Sequence, residues 1–312
     1  MKIITFEDIK KLSIEPSTCV NWVKNVFIHK SENILHAKDS IKLAGNVFFN
    51  TMPCFLRCEN NVGVKVVSRF PNNTPALRSD LLLYDANSGD ALALMDATWI
   101  TTMRTGAVAA LSALTLQRSD AENFSFIGLG NTARATLLCL LSQISVEKTI
   151  KVTLFDYKDQ AKKFIERFKN YSNVIFNIEA DINNIIQKSD VLFSCVTAFD
   201  SIVAADEVFP EGILVIPVHT RGFQNCDLFF DKVFADDTDH VKGFRYFDKF
   251  KNFAEISDVL TKKSIGRTNN KERILSYNIG IALHDVFFAS QIYKLCDSQL
   301  ITLSSNSEKF WV

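Results

Sequence analysis

The order of apolar and polar positions divides the 312-residue chain into two regions of different pattern. Between residue 119 and about 279, short apolar runs alternate with amphipathic stretches. The runs at 124–127, 151–155, 174–178, 191–195, 213–217 and 233–235 read as buried strands, and helical spacing fills gaps such as 160–169 and 182–187. This alternation predicts a doubly wound, Rossmann-type parallel sheet, which takes ligands at the carboxyl ends of its strands. Residues 1–118 have a mixed α+β pattern. Residues 21–30 place Trp22, Val23, Val26 and Phe27 on one side of a helix, and 62–69 read as a strand. The runs 81–85 and 91–95 flank Asn87-Ser88-Gly89, a hairpin turn signal, and a helix rich in Ala, Leu and Thr follows over about 99–117. Residues 279–296 are helical and apolar again. They are expected to fold back on the N-terminal region, so residues 1–118 with 280–312 form one discontinuous α+β domain and 119–279 the other.

One segment of the second domain carries chemistry. Phe124-Ser125-Phe126-Ile127-Gly128-Leu129-Gly130-Asn131-Thr132-Ala133-Arg134 reads as strand, glycine turn, then a helix from Thr132. In a Gly-x-Gly-x-x-Ala turn Gly128 permits the tight bend, Gly130 lets backbone approach phosphate, and Ala133 lets helix pack on strand. The free N–H groups of the helix start then face the anion. The next strand ends in Asp156, near the ~20-residue spacing at which a carboxylate accepts from the adenosine ribose hydroxyls. An acid there repels a 2′-phosphate, so the cofactor expected is NAD, with NADP the alternative. The plainer reading of Asp156 is a turn residue that caps the following helix.

Composition narrows the partners. Lys plus Arg and Asp plus Glu number 35 each, so no net field favours nucleic acid or an anionic membrane. Hydrophobic residues make up 47%, yet no run is long enough to span a bilayer, and the acidic N-terminus does not resemble a signal peptide. The scattered phenylalanines read as core filling. The cysteines are odd in number and irregular in spacing, with no histidines beside Cys54 and Cys58, so no metal site is expected and reduced thiols in a cytoplasmic protein are.

Two cations of the first domain stand out. Arg104 lies in Thr101-Thr102-Met103-Arg104-Thr105-Gly106, among small and apolar neighbours. A buried arginine needs an anion, either a substrate carboxylate held bidentately or a protein acid such as Asp96 or Asp85. Lys65 shares a strand face with Gly63, Val67 and Arg69, opposite Val62, Val64 and Val66. A strand lysine is most simply solvated; desolvated, it suits proton donation or substrate pairing. Thr197 and His219 each follow a strand at its carboxyl end, where nicotinamide and substrate should meet, and His219 is a candidate acid.

Together, Thr51-Met52-Pro53, Val64-Lys65-Val66-Val67, Leu94-Met95-Asp96-Ala97, Met103-Arg104-Thr105, the glycine turn, Phe253-Ala254-Glu255 and Tyr277-Asn278-Ile279-Gly280-Ile281-Ala282 ending in Asp285 resemble the ornithine cyclodeaminase/mu-crystallin family. The resemblance covers nearly the whole chain. It implies a homodimer whose first domain holds the substrate and builds the dimer interface, while the second binds the nicotinamide cofactor. It implies that Lys65, Arg104 and Met52 meet a small amino or imino acid, and that Gly128, Gly130, Asn131, Thr132, Ala133, Arg134 and Asp156 hold NAD, with Thr197 and Asn278 near it. Lys42 lies near the position of an early arginine that binds carboxylate in relatives. Arg221 stands where cyclodeaminases carry an aspartate that handles the substrate amine, and an arginine repels a cationic amine. The implied activity is therefore an NAD-linked oxidoreductase at the C–N bond of a small α-amino or imino acid. The alternatives are cyclodeamination of ornithine to proline with recycled NAD, and a non-catalytic nicotinamide-binding protein of crystallin type.

Overall fold

In the computed structural model the described residues are 1–312 without 197, 198, 200, 219–222, 224–227, 303–307, 311 and 312. The N-terminal elements are β1 (Lys2–Ile4), α1 (Phe6–Lys11), α2 (Pro16–Ile28), β2 (Ile34–Leu35), β3 (Asp39–Lys42), β4 (Phe48–Leu56), β5 (Asn61–Arg69), β6 (Leu77–Asp85), β7 (Ala91–Asp96) and α3 (Thr98–Leu116). There follow β8 (Asn123–Ile127), α4 (Asn131–Leu141), β9 (Ile150–Phe155), α5 (Gln160–Arg167), β10 (Val174–Glu179), α6 (Ile182–Gln187), β11 (Val191–Ser194) and β12 (Leu214–Pro217). The chain continues with β13 (Lys232–Ala235), α7 (Thr238–Val241), β14 (Ala254–Glu255), α8 (Ile256–Leu260), β15 (Ile274–Tyr277) and α9 (Ala282–Leu295). No helix among the described residues is long and apolar enough to cross a membrane.

The chain makes two compact units: Met1–Ile14 with Ser31–Thr101 and Ala282–Val312, and Glu15–Lys30 with Thr102–Ile281. The boundary differs from the one expected at residues 118 and 280, because two N-terminal helices pack with the parallel sheet's helices. Helix α2 lies on α4 and α8. Most of α3 belongs to the second unit as well, tied to the end of β15 by Asn278 Nδ2 donating to Ser112 Oγ at 3.1 Å.

The first unit is a seven-stranded sheet in the order β1-β7-β6-β5-β4-β2, with β3 also on β4. It is antiparallel except for the β1–β7 pair. The expected hairpin is β6–β7, and its turn is built locally: Asp85 Oδ1 accepts from the backbone N–H groups of Asn87 at 2.8 Å and Ser88 at 3.0 Å. Helix α9 packs across β4, β5 and β6 and is buried continuously from Ala282 to Ser290. Burial along β5 alternates, with Asn61, Gly63 and Lys65 inside and Val62, Val64 and Val66 half-buried. The lysine, not the valines, occupies the covered face.

The second unit is an eight-stranded sheet in the order β10-β9-β8-β11-β12-β15-β13-β14, every pair parallel. Order reverses between β8 and β11, the switch point at which open α/β sheets take their ligands. The apolar runs became strands because both faces are covered; β8, β11 and β12 are buried almost throughout. Phenylalanine fills this core, as where Phe126 stacks on Phe193 at 4.7 Å across β8 and β11. Strand β15 was not anticipated. It is only four residues long, yet it sits between β12 and β13.

Candidate cofactor and substrate residues

At the switch point, the chain leaves β8 through Gly128 at φ 84, a left-handed conformation that L side chains rarely adopt. A Cβ there would lie 2.8 Å from the Cys195 carbonyl carbon and the Val196 nitrogen, where the chain leaves β11. Glycine is thus required twice over. Gly130 is the N-cap of α4 and has no side chain to accept from the first-turn N–H groups. A Cβ at Gly130 would meet nothing within 4 Å, so the backbone faces open space. Ala133 is fully buried, Asn131 is exposed, and Thr132 and Arg134 are partly so. An uncapped helix start beside open space at a switch point fits a pyrophosphate. Arg134 lies near Arg167; burial and that like charge both hold its guanidinium below its ordinary range. A bound anion would relieve both.

Asp156 follows β9 and is half-buried, its backbone N–H donating to Glu179 O at 3.0 Å. Oδ1 accepts from Ala161 N at 3.3 Å, so the residue does cap α5. Its second oxygen has no hydrogen bond among the described residues. Both readings of Asp156 are therefore compatible, one per oxygen. Asn278, two residues before Gly280, is buried, with Nδ2 bound to Ser112 and its own N–H donating to Pro217 O at 2.9 Å. Its Oδ1 is buried with no hydrogen-bond partner among the described residues. A buried amide oxygen without a donor is costly, and the carboxamide of a nicotinamide is a donor of the right kind.

Arg104 on α3 is 6% exposed, and its guanidinium lies over Gly280. Gly280 has φ 87, and any Cβ there would collide with Nη1, so the loop after β15 takes this shape to admit the arginine. The loop is held by Asp236, whose Oδ2 accepts from Gly280 N at 2.6 Å, and Asp236 is fully buried. Neither Asp236 nor Ser112 was singled out from sequence. Beside Asp236 lies a second buried network. Lys30, two residues past the end of α2, meets Asp237 Oδ2 at 2.7 Å, Glu255 Oε2 at 2.6 Å and Asp236 O at 3.0 Å. Burial pushes the Asp237 and Glu255 carboxyls up, but His240 and Lys30 hold the first, and Lys30 and Thr238 the second, below the usual carboxylate range.

In the first unit, Lys65 is fully buried and its Nζ lies 2.8 Å from Asp285 Oδ2 on α9, itself fully buried. The solvated reading of Lys65 does not hold, because α9 covers its face of the sheet. Asp285 is the residue whose role sequence reasoning missed; the signal was an acid in the first turn of a mostly apolar helix. Met52 faces Lys65 directly across β4–β5 and is 3% exposed. Lys42 is not brought to them. It stands on β3, exposed along its whole length, in register with Phe48, four residues along β4 from Met52 or about 13 Å. Thr197, His219 and Arg221 lie outside the described residues. Among those described, no group of three or more His, Cys, Asp or Glu could hold a metal ion.

With this geometry in view, comparison with known proteins is informative. The protein is 26% identical over 266 residues to the nodulation efficiency protein NfeD of Rhizobium meliloti, covering 81% of each chain. It is 26% identical to the alanine dehydrogenase of Archaeoglobus fulgidus over 320 residues, 94% of both. A solved Δ1-pyrroline-2-carboxylate reductase of Thermococcus litoralis, in complex with NADH and L-proline, superposes with a TM-score of 0.83 at 25% identity, over 95% of this chain and 97% of that one. Residues 35–299 match the ornithine cyclodeaminase/mu-crystallin family, and the chain belongs to that family.

Proposed function

We propose that this protein is an NAD-linked reductase of the C=N bond in a small imino acid, of the class of Δ1-pyrroline-2-carboxylate. The geometry that carries the cofactor half is the Gly128 turn at the β8/β11 switch point, with open space over Gly130 and an uncapped α4 behind it. Gly128 to Arg134 would hold the pyrophosphate, the free oxygen of Asp156 the ribose hydroxyls, and Asn278 Oδ1 the carboxamide. Bound NADH supplies the hydride that, with one proton, turns C=N into CH–NH and leaves NAD. The chain supplies fixed charge. Arg104, a planar fork held by the Gly280 loop, is suited to a substrate carboxylate. Lys65 offers an ammonium that can bind an anionic substrate and pass a proton to the imine nitrogen. Relatives named for pyrroline-2-carboxylate and alanine both support chemistry at a C–N bond.

The half-buried valines of β5 and exposed Leu94 of β7 leave one face of the first sheet apolar, which supports a second copy of the chain as its cover and hence a homodimer. The six described cysteines are free thiols, which supports a reducing, cytoplasmic setting. The test of the activity is a panel of NADH with Δ1-pyrroline-2-carboxylate, NADH with pyruvate and ammonia, and NAD with ornithine. Stoichiometric NADH loss with the cyclic imine supports the proposal. Turnover confined to pyruvate would make it an amino-acid dehydrogenase, and proline plus ammonia from ornithine with only catalytic NAD would make it a cyclodeaminase.

A further inference from the structure

The sheet face beneath α9 carries a cation, Lys65, among Met52, Cys54, Leu56, Asn61, Gly63, Leu81 and Leu83. On β5, Gly63 meets Val286 so closely that no side chain could replace its hydrogen, and Asn61 shares a hydrogen bond of 2.9 Å with Ser290. These contacts fix helix against strand. Leu81 of β6 and Met52 of β4 flank Lys65 across the two ladders. The Lys65–Asp285 pair lies in the middle of this surface with both side chains fully excluded from water. A buried pair of this sort seldom stabilises a fold more than apolar side chains of equal volume would. Here the surrounding contacts already hold α9 in place, so packing alone does not account for it.

We infer that Asp285 is a positioning residue for Lys65: it keeps the ammonium charged and directs it, so that the charge is in place before an anionic substrate arrives. The inference rests on the proposed role of Lys65 in substrate binding. Without Asp285, Lys65 loses the carboxylate 2.8 Å from its ammonium, and full burial beside Met52 and Leu81 disfavours the charged form. The other titratable groups packed here are Cys54 on β4 and His284 on α9. Burial and then the Asp285 charge push the Cys54 thiol well up, so it remains neutral. Asp285 would act as the partner that prevents Lys65 from shedding its proton, not as a group that touches substrate.

The test is D285N in the full-length protein, assayed by NADH consumption with Δ1-pyrroline-2-carboxylate across pH, with NADH affinity measured separately by fluorescence. The expected result is a KM for the imino acid raised at least tenfold near neutral pH and an alkaline fall in kcat/KM moved to lower pH. NADH affinity should remain unchanged. D285E, which retains the charge, should restore the wild-type pH profile while leaving a KM raised severalfold, and it decides the matter if D285N does not fold. A wild-type KM and pH profile in D285N, or in D285E a profile displaced from wild type, would overturn the inference. If the wild-type protein turns over no imino acid, it is the functional proposal that fails, and the two failures are told apart by that control.

Discussion

Lys30 is partly and Lys65 fully buried, and the company each keeps differs in a way that separates structure from chemistry. Lys30 is met by two carboxylates and a backbone carbonyl, so every direction of its ammonium is spent inside the fold. Lys65 is met by the Asp285 carboxylate, with Met52 and Leu81 beside it on the neighbouring strands. Two acids around Lys30 make an internal clamp, whereas the Asp285 carboxylate beside fully buried Lys65 favours the charged form of its ammonium. Shape does comparable work for Arg104, whose guanidinium is seated against the Gly280 loop.

The comparison can be broken most forcefully at the two lysines. K65M is expected to lower kcat/KM by on the order of 10²–10³-fold, as loss of one preorganised charge typically does, while NADH binding persists. Steady-state kinetics with separate NADH titration checks this, and full activity in K65M would remove Lys65 from the reaction. K30M should do the reverse. It removes the cation that Asp237 and Glu255 share, so urea unfolding should show a loss of about 3–5 kcal/mol with kcat per folded molecule retained. G128A comes next. A forced left-handed alanine costs about 1–2 kcal/mol, and its methyl presses on the chain leaving β11, so NADH affinity should fall more than tenfold in a direct titration.

Two smaller effects sharpen the picture. The Asp237 and Glu255 carboxyls are held below their ordinary range in the folded state. Their contribution to stability is therefore full above the unfolded carboxylate range, about pH 4, and is lost as pH falls through the lower folded values. Unfolding free energy should drop as pH falls below about 4, and drop less in K30M, where the clamp is already absent. D156S is expected to weaken NADH binding about tenfold, in line with loss of a hydrogen-bonded charge, and to narrow the gap to NADPH. An unchanged preference would leave Asp156 with its capping role alone.

How much of this was legible in the sequence follows from how local each signal was. The β8–Gly128–α4–β9–Asp156 unit could be read in order, because strand, turn, helix and acid are consecutive and each has its own local cause. Strand β15 could not: Ile274-Leu275-Ser276-Tyr277 is short, and its central place depends on pairing with β12 and β13. The alternation of β5 was read correctly, but period-two patterning does not say which face is covered. That was decided by α9, more than 200 residues downstream, and with it the burial of Lys65 and the meaning of Asp285. Likewise α2 looked like part of the first unit by position, yet its buried side packs on α4 and α8. Long-range pairing, not local propensity, separates what was visible from what was not.

The central claim is that this chain uses a reduced nicotinamide to reduce the C=N bond of a small imino acid. Its most direct measurement is the purified protein mixed with NADH and Δ1-pyrroline-2-carboxylate, following loss of the reduced cofactor's absorbance alongside chiral analysis of the product. The account predicts one proline formed for each NADH consumed. Firm NADH binding with no consumption, in the presence of that imine or any other imino or keto acid with amine, would contradict it.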